Sequence, residues 1–365
     1  MLREVFAGID LGGSKARFGF FDRYCNRILN DAVVEHNGGE LTNEGLADEL
    51  TDGISRLWER LDKLDNINKN GLFSYMLGAI GLGSPGPLDP NKGIIENPPN
   101  LPQIKNLQIA DILQKKFGVP AFLLNDADAA VVGEHAFGAG KGFQDIVMLT
   151  LGTGIGSGVI AGGKLQRGMG RGGEWGHTTM AIPEESKPGF GTCACGRTGC
   201  IEAYIGTVGL REIAADCWYY EHRGYNRQSK YNDQAVVGHL MWKAEEVAPN
   251  IAQGIREEPQ SCALCVDILD RYAEYLSLAI GNIVCVHNPE CVILGGGIAN
   301  IGQPLMDAVN GRLKNKQDKM SGLLNGLQIK FAQLTDAGVV GAAKYAANMK
   351  LAEFHRIPGE YGLPA

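Results

Sequence analysis

His177, Cys193, Cys195 and Cys200 bring one imidazole and three thiols into a span of 24 residues. This is the ligand set of a closed tetrahedral Cys₃His zinc site of the structural kind, which keeps no open position for a catalytic water. The stretch from Gly191 to Cys200 is polar and glycine-rich, unlike a core strand that buries apolar cysteines, so zinc ligation is the expected role. The chain has nine cysteines, an odd number in a long chain, which argues against a disulfide framework. Cys262 and Cys265 fall in an apolar helical pattern and are expected in the core rather than as competing ligands.

Two glycine turns point to phosphate chemistry. Gly12, Gly13, Ser14 and Lys15 follow one β-rich run, and Gly152, Thr153, Gly154, Ile155 and Gly156 follow another some 140 residues later. Without a Cβ in the way, main-chain N–H groups at such turns can approach a phosphate closely. A plain hairpin turn is the competing explanation of either motif alone; as a pair they favour one phosphate chain held by both. Gly138, Ala139, Gly140 and Lys141 lack the upstream glycine and the following Ser or Thr of a P-loop. The Gly152-x-Gly154-x-Gly156 spacing and the strand after it do not fit a dinucleotide fingerprint. Asp10, at a strand end beside the first turn, is a candidate to hold Mg²⁺ through a bound water, with a local turn cap as its alternative. Asn125 and Asp126 end another strand, where a carboxylate can take the proton of an attacking hydroxyl, so Asp126 is the candidate general base. Asp128 is its local competitor.

The elements that must position these groups are strands alternating with helices, hence an α/β fold with helices covering sheet faces. Leu46, Leu50, Ile54, Leu57, Leu61 and Leu64 recur at helical spacing, predicting an amphipathic helix over 43–65 with Thr42 as N-cap. A strand is expected from Met76 to Leu82, broken by Gly83, Ser84, Pro85, Gly86 and Pro87. Further strands are expected at 121–124, 146–151, 159–161 and 291–294, and helices at 262–286 and from 337 to about 354. The repeat of strand, glycine turn and strand is the one internal repeat visible in the chain. With 365 residues two lobes are expected: 1–122, completed by a C-terminal helix over about 337–365, and 123–336, which holds the zinc cluster and a polar, mostly helical insertion at about 216–260. The net charge of −7 offers no footprint for nucleic acid, and no apolar run is long enough to span a bilayer, so a cytoplasmic protein acting on a small molecule is expected.

Taken in order, the segments 10–15, 83–87, 125–126, 151–156, 174–177, 193–202 and 295–297 resemble the ROK family (repressor, open reading frame, kinase), with Asp336 to Ala342 as a typical family ending. Ser14 stands where the family usually has Thr, which retains the hydroxyl, and the insertion is longer than in most relatives. The resemblance implies a two-lobed actin-like (ribonuclease H-like, hexokinase-type) ATPase fold with the ligand cleft between the lobes. It implies transfer of phosphate from Mg-ATP to a sugar, usually at the hexose 6-hydroxyl. Glucose is the first choice, with N-acetylglucosamine, N-acetylmannosamine, fructose and allose as alternatives. By the same resemblance Asp126 matches the catalytic base, and Asn125, Glu174, His177 and Glu202 match sugar-binding residues, with Asn100 added. Gly295, Gly296 and Gly297 join the ATP-binding glycines, His177 serves both sugar and zinc, and a homodimer is the family habit. The family also contains sugar-responsive repressors carrying an N-terminal helix-turn-helix; only nine residues precede Asp10, so that role is not expected.

Overall fold

A computed structural model describes residues 2–67, 74–180, 191–223, 244–257, 263–317 and 322–355. The chain divides into two compact units, one of residues 1–144, 158–173 and 333–365, the other of 145–157 and 174–332.

The first unit is built on β1 (Leu2–Leu11), β2 (Lys15–Asp22), β3 (Arg27–Glu35), β4 (Ser74–Ser84) and β7 (Ala121–Asn125), in the order β3-β2-β1-β4-β7. β1, β2 and β3 pair antiparallel, whereas β1, β4 and β7 run parallel. A small ribbon, β5 (Leu88–Asp89) with β6 (Ile94–Ile95), stands apart from this sheet. The helices are α1 (Asn43–Ile67), α2 (Ile109–Phe117), α3 (Asp126–Phe137) and, from the end of the chain, α9 (Ala337–His355).

Alternation along β1 decides which helix covers which face. Val5, Ala7, Ile9 and Leu11 pack in one core with Leu46, Leu50, Ile54, Leu57 and Leu61 of α1. Phe6 belongs to a second core with Val339, Val340, Ala343 and Ala346 of α9. Each buried Leu or Ile contributes about 1.5–3 kcal/mol by leaving water. Thr42 Oγ1 accepts from Gly45 N at 3.2 Å and so caps α1. On the α9 face a Cβ at Gly81 would collide with the Ala342 carbonyl, so glycine is what lets helix and sheet approach this closely.

The second five-stranded sheet contains β8 (Ile146–Leu151), β9 (Ile155–Ala161), β10 (Lys164–Leu165), β11 (Cys291–Gly295) and β12 (Gln328–Phe331), in the order β10-β9-β8-β11-β12. Taken in chain order within each sheet, both follow third, second, first, fourth, fifth. The repeat visible as two glycine turns is therefore a repeat of whole sheet topology. The second unit's helices are α4 (Glu202–Ile205), α5 (Thr207–Arg223), α6 (Ala244–Glu257), α7 (Ala263–His287) and α8 (Gln303–Gln317), with 3₁₀ turns at Trp175–His177 and Ile298–Ile301.

Several boundaries differ from those the sequence predicts. β4 continues through Gly83 and Ser84, because these residues pair with Asp10 on one side and with Leu124 and Asn125 on the other. β9 begins at Ile155 rather than 159, its glycines serving as strand residues. The units divide after residue 144, and α3 stays with the first, because Gly341 of α9 packs on the Ala129 carbonyl of α3. Of the 216–260 insertion, residues 216–223 end α5 and 244–257 form α6; the remainder and Cys262 lie outside the described residues. Cys265 is fully buried in α7 and is disulfide-bonded. Among the described residues no helix is long and apolar enough to cross a membrane.

Candidate functional site

The carboxyl ends of the parallel strands β1, β4 and β7 carry Asp10, Ser84 and Asn125, the edge at which α/β sheets bind ligands. Asp10 faces Arg17 across the β1–β2 pair, and the turn that follows is closed by Gly12 N donating to Lys15 O at 2.8 Å. Burial raises the pKa of Asp10, a rise only partly offset by the positive charges of Arg17 and then Lys15. A Cβ at Gly338 would lie 2.7 Å from the Asp10 carboxyl carbon, so the first turn of α9 rests directly on this carboxylate. Asn100 packs on Gly13: a Cβ there would stand 3.1 Å from the Asn100 Cβ.

Asn125 is the N-cap of α3, its side-chain oxygen accepting from Ala127 N at 2.9 Å, while Asp126 Oδ1 accepts from the same N–H at 2.8 Å. Asp126 is thereby fixed at the helix N-terminus. It is half-buried and reaches solvent. Asp128 is 3% exposed, and its charge raises the pKa of the buried Tyr345 phenol, although burial itself is the larger cause of that rise. Of the two aspartates only Asp126 reaches solvent.

In the second unit the Gly152–Gly154 turn closes by Gly152 N donating to Gly154 O at 3.1 Å, and Thr207 N donates to Gly152 O at 2.9 Å. Glu202 joins this turn to the cysteine cluster. Its Oε2 accepts from Ile155 N at 2.9 Å, and its Oε1 accepts from Cys193 Sγ at 3.2 Å. Gly295 lies beside Thr150 at the ends of β11 and β8, and Gly296 has φ of 85°, a left-handed conformation suited to glycine. A cavity of about 730 Å³ opens there, lined by Gly152, Thr153 and Gly297 together with Thr207, Pro249, Ala252, Gln253 and Asn300. Its size is in the range of about 300–1,000 Å³ usual for small-molecule sites.

The four candidate metal ligands converge: their ligating atoms all lie within 4.8 Å of one another. His177 Nδ1 is 3.5 Å from Cys193 Sγ, and Cys195 Sγ is 3.7 Å from Cys200 Sγ. Zinc–sulfur bonds of about 2.3 Å and zinc–nitrogen bonds of about 2.0 Å at tetrahedral angles require separations of about 3.5–3.8 Å, so the donor set fits Zn²⁺. The knuckle is shaped by Cys193 N donating to Arg197 O at 2.9 Å and by Gly196 at φ 86°. Arg197 Nη1 donates to His177 O at 3.0 Å, holding the histidine's main chain against the loop. Glu174 precedes the 3₁₀ turn that carries His177, with His177 N donating to Glu174 O at 3.1 Å. Although Glu174 as a residue is exposed, desolvation of its carboxyl raises its pKa; His177 opposes the rise and the negative charge of Glu202 adds to it.

Within the first unit the fold thus gathers Asp10, Gly12, Gly13, Asn100, Asn125 and Asp126 around one sheet edge and turn. Within the second it gathers Glu174, His177 and Glu202 at the cysteine cluster, and Gly152, Thr153 and Gly297 at the cavity. Sequence reasoning missed Thr207, Pro249, Ala252, Gln253 and Asn300, which carry no motif; the only available signal was the helical periodicity of α6, whose Pro249 conceals it.

Comparison with known proteins identifies the family and the fold. The ROK family profile matches residues 6–349. A glucokinase of Thermotoga maritima is 32% identical over 92% of this chain and 95% of its own length. A xylose repressor of Caldicellulosiruptor bescii is 28% identical over 91% of this chain and 75% of its own length. The crystal structure of a ROK family glucokinase from Streptomyces griseus in complex with glucose and AMPPNP superposes with a TM-score of 0.68 at 25% identity, covering 94% of this chain and 99% of that one. The fold is accordingly the two-lobed, actin-like, hexokinase-type ATPase fold, and the chain belongs to the ROK family.

Proposed function

We propose that this protein transfers the γ-phosphate of ATP to the 6-hydroxyl of a hexose, glucose first among them. The observation that carries the proposal is the placement of Asp126: half-exposed at the carboxyl end of β7 and oriented by the Ala127 N–H, while Asp128 is buried. Similarity to a glucokinase over nearly the whole chain supports it.

In this mechanism Asp126 accepts the proton of the sugar hydroxyl as that oxygen attacks the γ-phosphorus, and the remaining residues bind and orient. Asn100, Asn125, Glu174, His177 and Glu202 are assigned to sugar hydroxyls. Main-chain N–H groups of Gly13 and Ser14, with the Lys15 ammonium, are assigned to phosphate oxygens, as are those of Thr153 and Gly154; the Gly12 and Gly152 N–H groups close the two turns, and these glycines keep the backbone open to the phosphates. The adenosine portion is assigned to the 730 Å³ cavity beside Gly295, Gly296 and Gly297. Asp10 is assigned to hold Mg²⁺ through a water, and the metal when bound neutralises phosphate charge. Zn²⁺ is assigned to His177, Cys193, Cys195 and Cys200 in a purely structural role. Burial raises the thiol pKa values of Cys193 and Cys200, so a cation is needed to keep both as thiolates. The proposal includes a homodimer acting in the cytoplasm.

The test is a coupled ADP-release assay with Mg-ATP across glucose, N-acetylglucosamine, N-acetylmannosamine, fructose and allose. The highest kcat/KM is expected with glucose. Folded protein that releases no ADP with any of these sugars, yet shifts a specific DNA fragment in a gel, would place it with the repressors instead. Light scattering at twice the chain mass is expected for the dimer, and a single chain mass would contradict it.

A further inference from the structure

A second cavity, of about 410 Å³, lies wholly within the first unit. It is bordered by the β2–β3 turn, the last turn of α3, β9 and β10, and the middle of α9. α3 is 12 residues long and begins at Asp126, so the cavity's Phe137 stands at the opposite end of that helix, about 16 Å away at 1.5 Å per residue. None of the residues assigned above to sugar, nucleotide or metal lines it.

Its chemistry is two-sided. Val132, Ile160 and Leu165 form an apolar wall, and two aromatic rings at the rim stay in water, Tyr24 at 63% and Phe137 at 38% exposure. Apolar surface rimmed by polar side chains in this way marks ligand-binding grooves. The polar side is cationic: Arg23 and Lys344 contribute to the lining and, among the described residues, no acidic side chain does, in a protein whose net charge is −7. Neither cation has a carboxylate partner among the described residues. Arg23 rests over the Tyr24 ring at 4.9 Å. The nearby Asp22 makes no ion pair with either cation; its oxygens are turned to Tyr24 N at 2.8 Å, Asn26 N at 2.9 Å and Asn26 Nδ2 at 2.9 Å. Other polar groups are already engaged: the Tyr345 hydroxyl accepts from Arg167 Nη2 at 2.7 Å, and His135 Nε2 is 3.0 Å from Phe143 O.

We infer that this cavity is a binding site for a small amphipathic organic anion. The anionic group meets Lys344 and Arg23, and an apolar body lies on Val132, Ile160 and Leu165 under the two rim aromatics. The site touches the far end of α3, which begins at Asp126, and the middle of α9, whose first turn rests on Asp10.

Sodium octanoate serves as the probe, with octan-1-ol as its neutral counterpart and inorganic phosphate as a bare anion. Calorimetric titrations use the full chain saturated with glucose and a non-hydrolysable ATP analogue, so that the sugar and nucleotide sites are filled. Saturable binding of one octanoate per chain is expected, with octan-1-ol about tenfold weaker and phosphate without measurable binding. Lys344→Gln is expected to weaken octanoate about tenfold. Arg23→Gln, at an exposed turn that leaves the fold intact, is expected to weaken it by a smaller factor. No saturable octanoate binding, equal binding of octanol, or unchanged affinity in both folded variants would overturn the inference.

Discussion

Replacing Glu134 with glutamine takes one acceptor from a carboxylate that three main-chain donors share. Glu134 is fully buried near the end of α3. Its Oε2 accepts from Ala139 N at 2.7 Å, and its Oε1 accepts from Gln333 N at 2.9 Å and Leu334 N at 2.7 Å. It therefore ties α3 both to the segment that follows and to the segment that leads into α9. Glutamine has one carbonyl oxygen. If that oxygen keeps the Gln333 and Leu334 donors, the amide NH₂ points at the Ala139 N–H, donor against donor. Losing one charge-assisted hydrogen bond and stranding one buried N–H costs about 2–4 kcal/mol, and Glu134→Ala, which strands all three, costs more. At about 2–4 °C per kcal/mol for a unit of this size, Glu134→Gln should lower the Tm by roughly 5–15 °C. Calorimetry measures the shift, and hydrogen exchange should show lost protection at the Ala139 amide. A Glu134→Gln protein that melts with the wild type and keeps that amide protected would refute the assignment of this carboxylate as the acceptor that ties α3 to the segment following it.

Asp10→Asn should raise the Tm in the absence of nucleotide while abolishing Mg-ATP binding. The folded pKa of Asp10 lies above its unfolded value, so the charged group lowers stability as pH rises from the unfolded pKa through the folded one, and an amide removes that cost. A lower Tm at neutral pH with normal nucleotide affinity would contradict this. Metal analysis should find about one zinc per chain, lost in Cys195→Ser together with sugar affinity; folded, metal-free Cys195→Ser with wild-type affinity would separate metal from sugar site. Ala252→Trp fills the cavity beside Gly297 and should raise the KM for ATP about tenfold or more with little change in the KM for glucose, whereas an unchanged KM for ATP would remove adenosine from that cavity.

What could be read in the sequence depended on whether a function leaves a local pattern. Three cysteines in a glycine-rich polar loop are conspicuous because nothing else explains them, and the fold does bring their sulfurs and the His177 imidazole together. The helix over 43–67 was legible from its leucine spacing and its Thr42 cap, since α1 covers a sheet with a single face. Glycine misled where tertiary contact overrode propensity: Gly83 and Ser84 remain extended because strands flank them on both sides, and Gly156 and Gly158 belong to β9. Asp126 and Asp128 could not be ranked by spacing, because burial decides between them and burial is set by α9, some 210 residues further along. The cavity residues Thr207, Ala252, Gln253 and Asn300 are ordinary side chains whose role lies in shape, which no short-range pattern records.

The most direct test of phosphotransfer is the rate of Asp126→Asn with glucose and Mg-ATP. Asparagine keeps a side-chain oxygen for the Ala127 N–H, so the start of α3 is retained while the proton acceptor is removed. The expected result is a kcat lower by about 10²- to 10⁴-fold, or roughly 2.7–5.5 kcal/mol of barrier, with zinc content, Tm and glucose affinity close to wild type. A folded, zinc-containing Asp126→Asn protein that phosphorylates glucose at the wild-type rate would contradict Asp126 as the base.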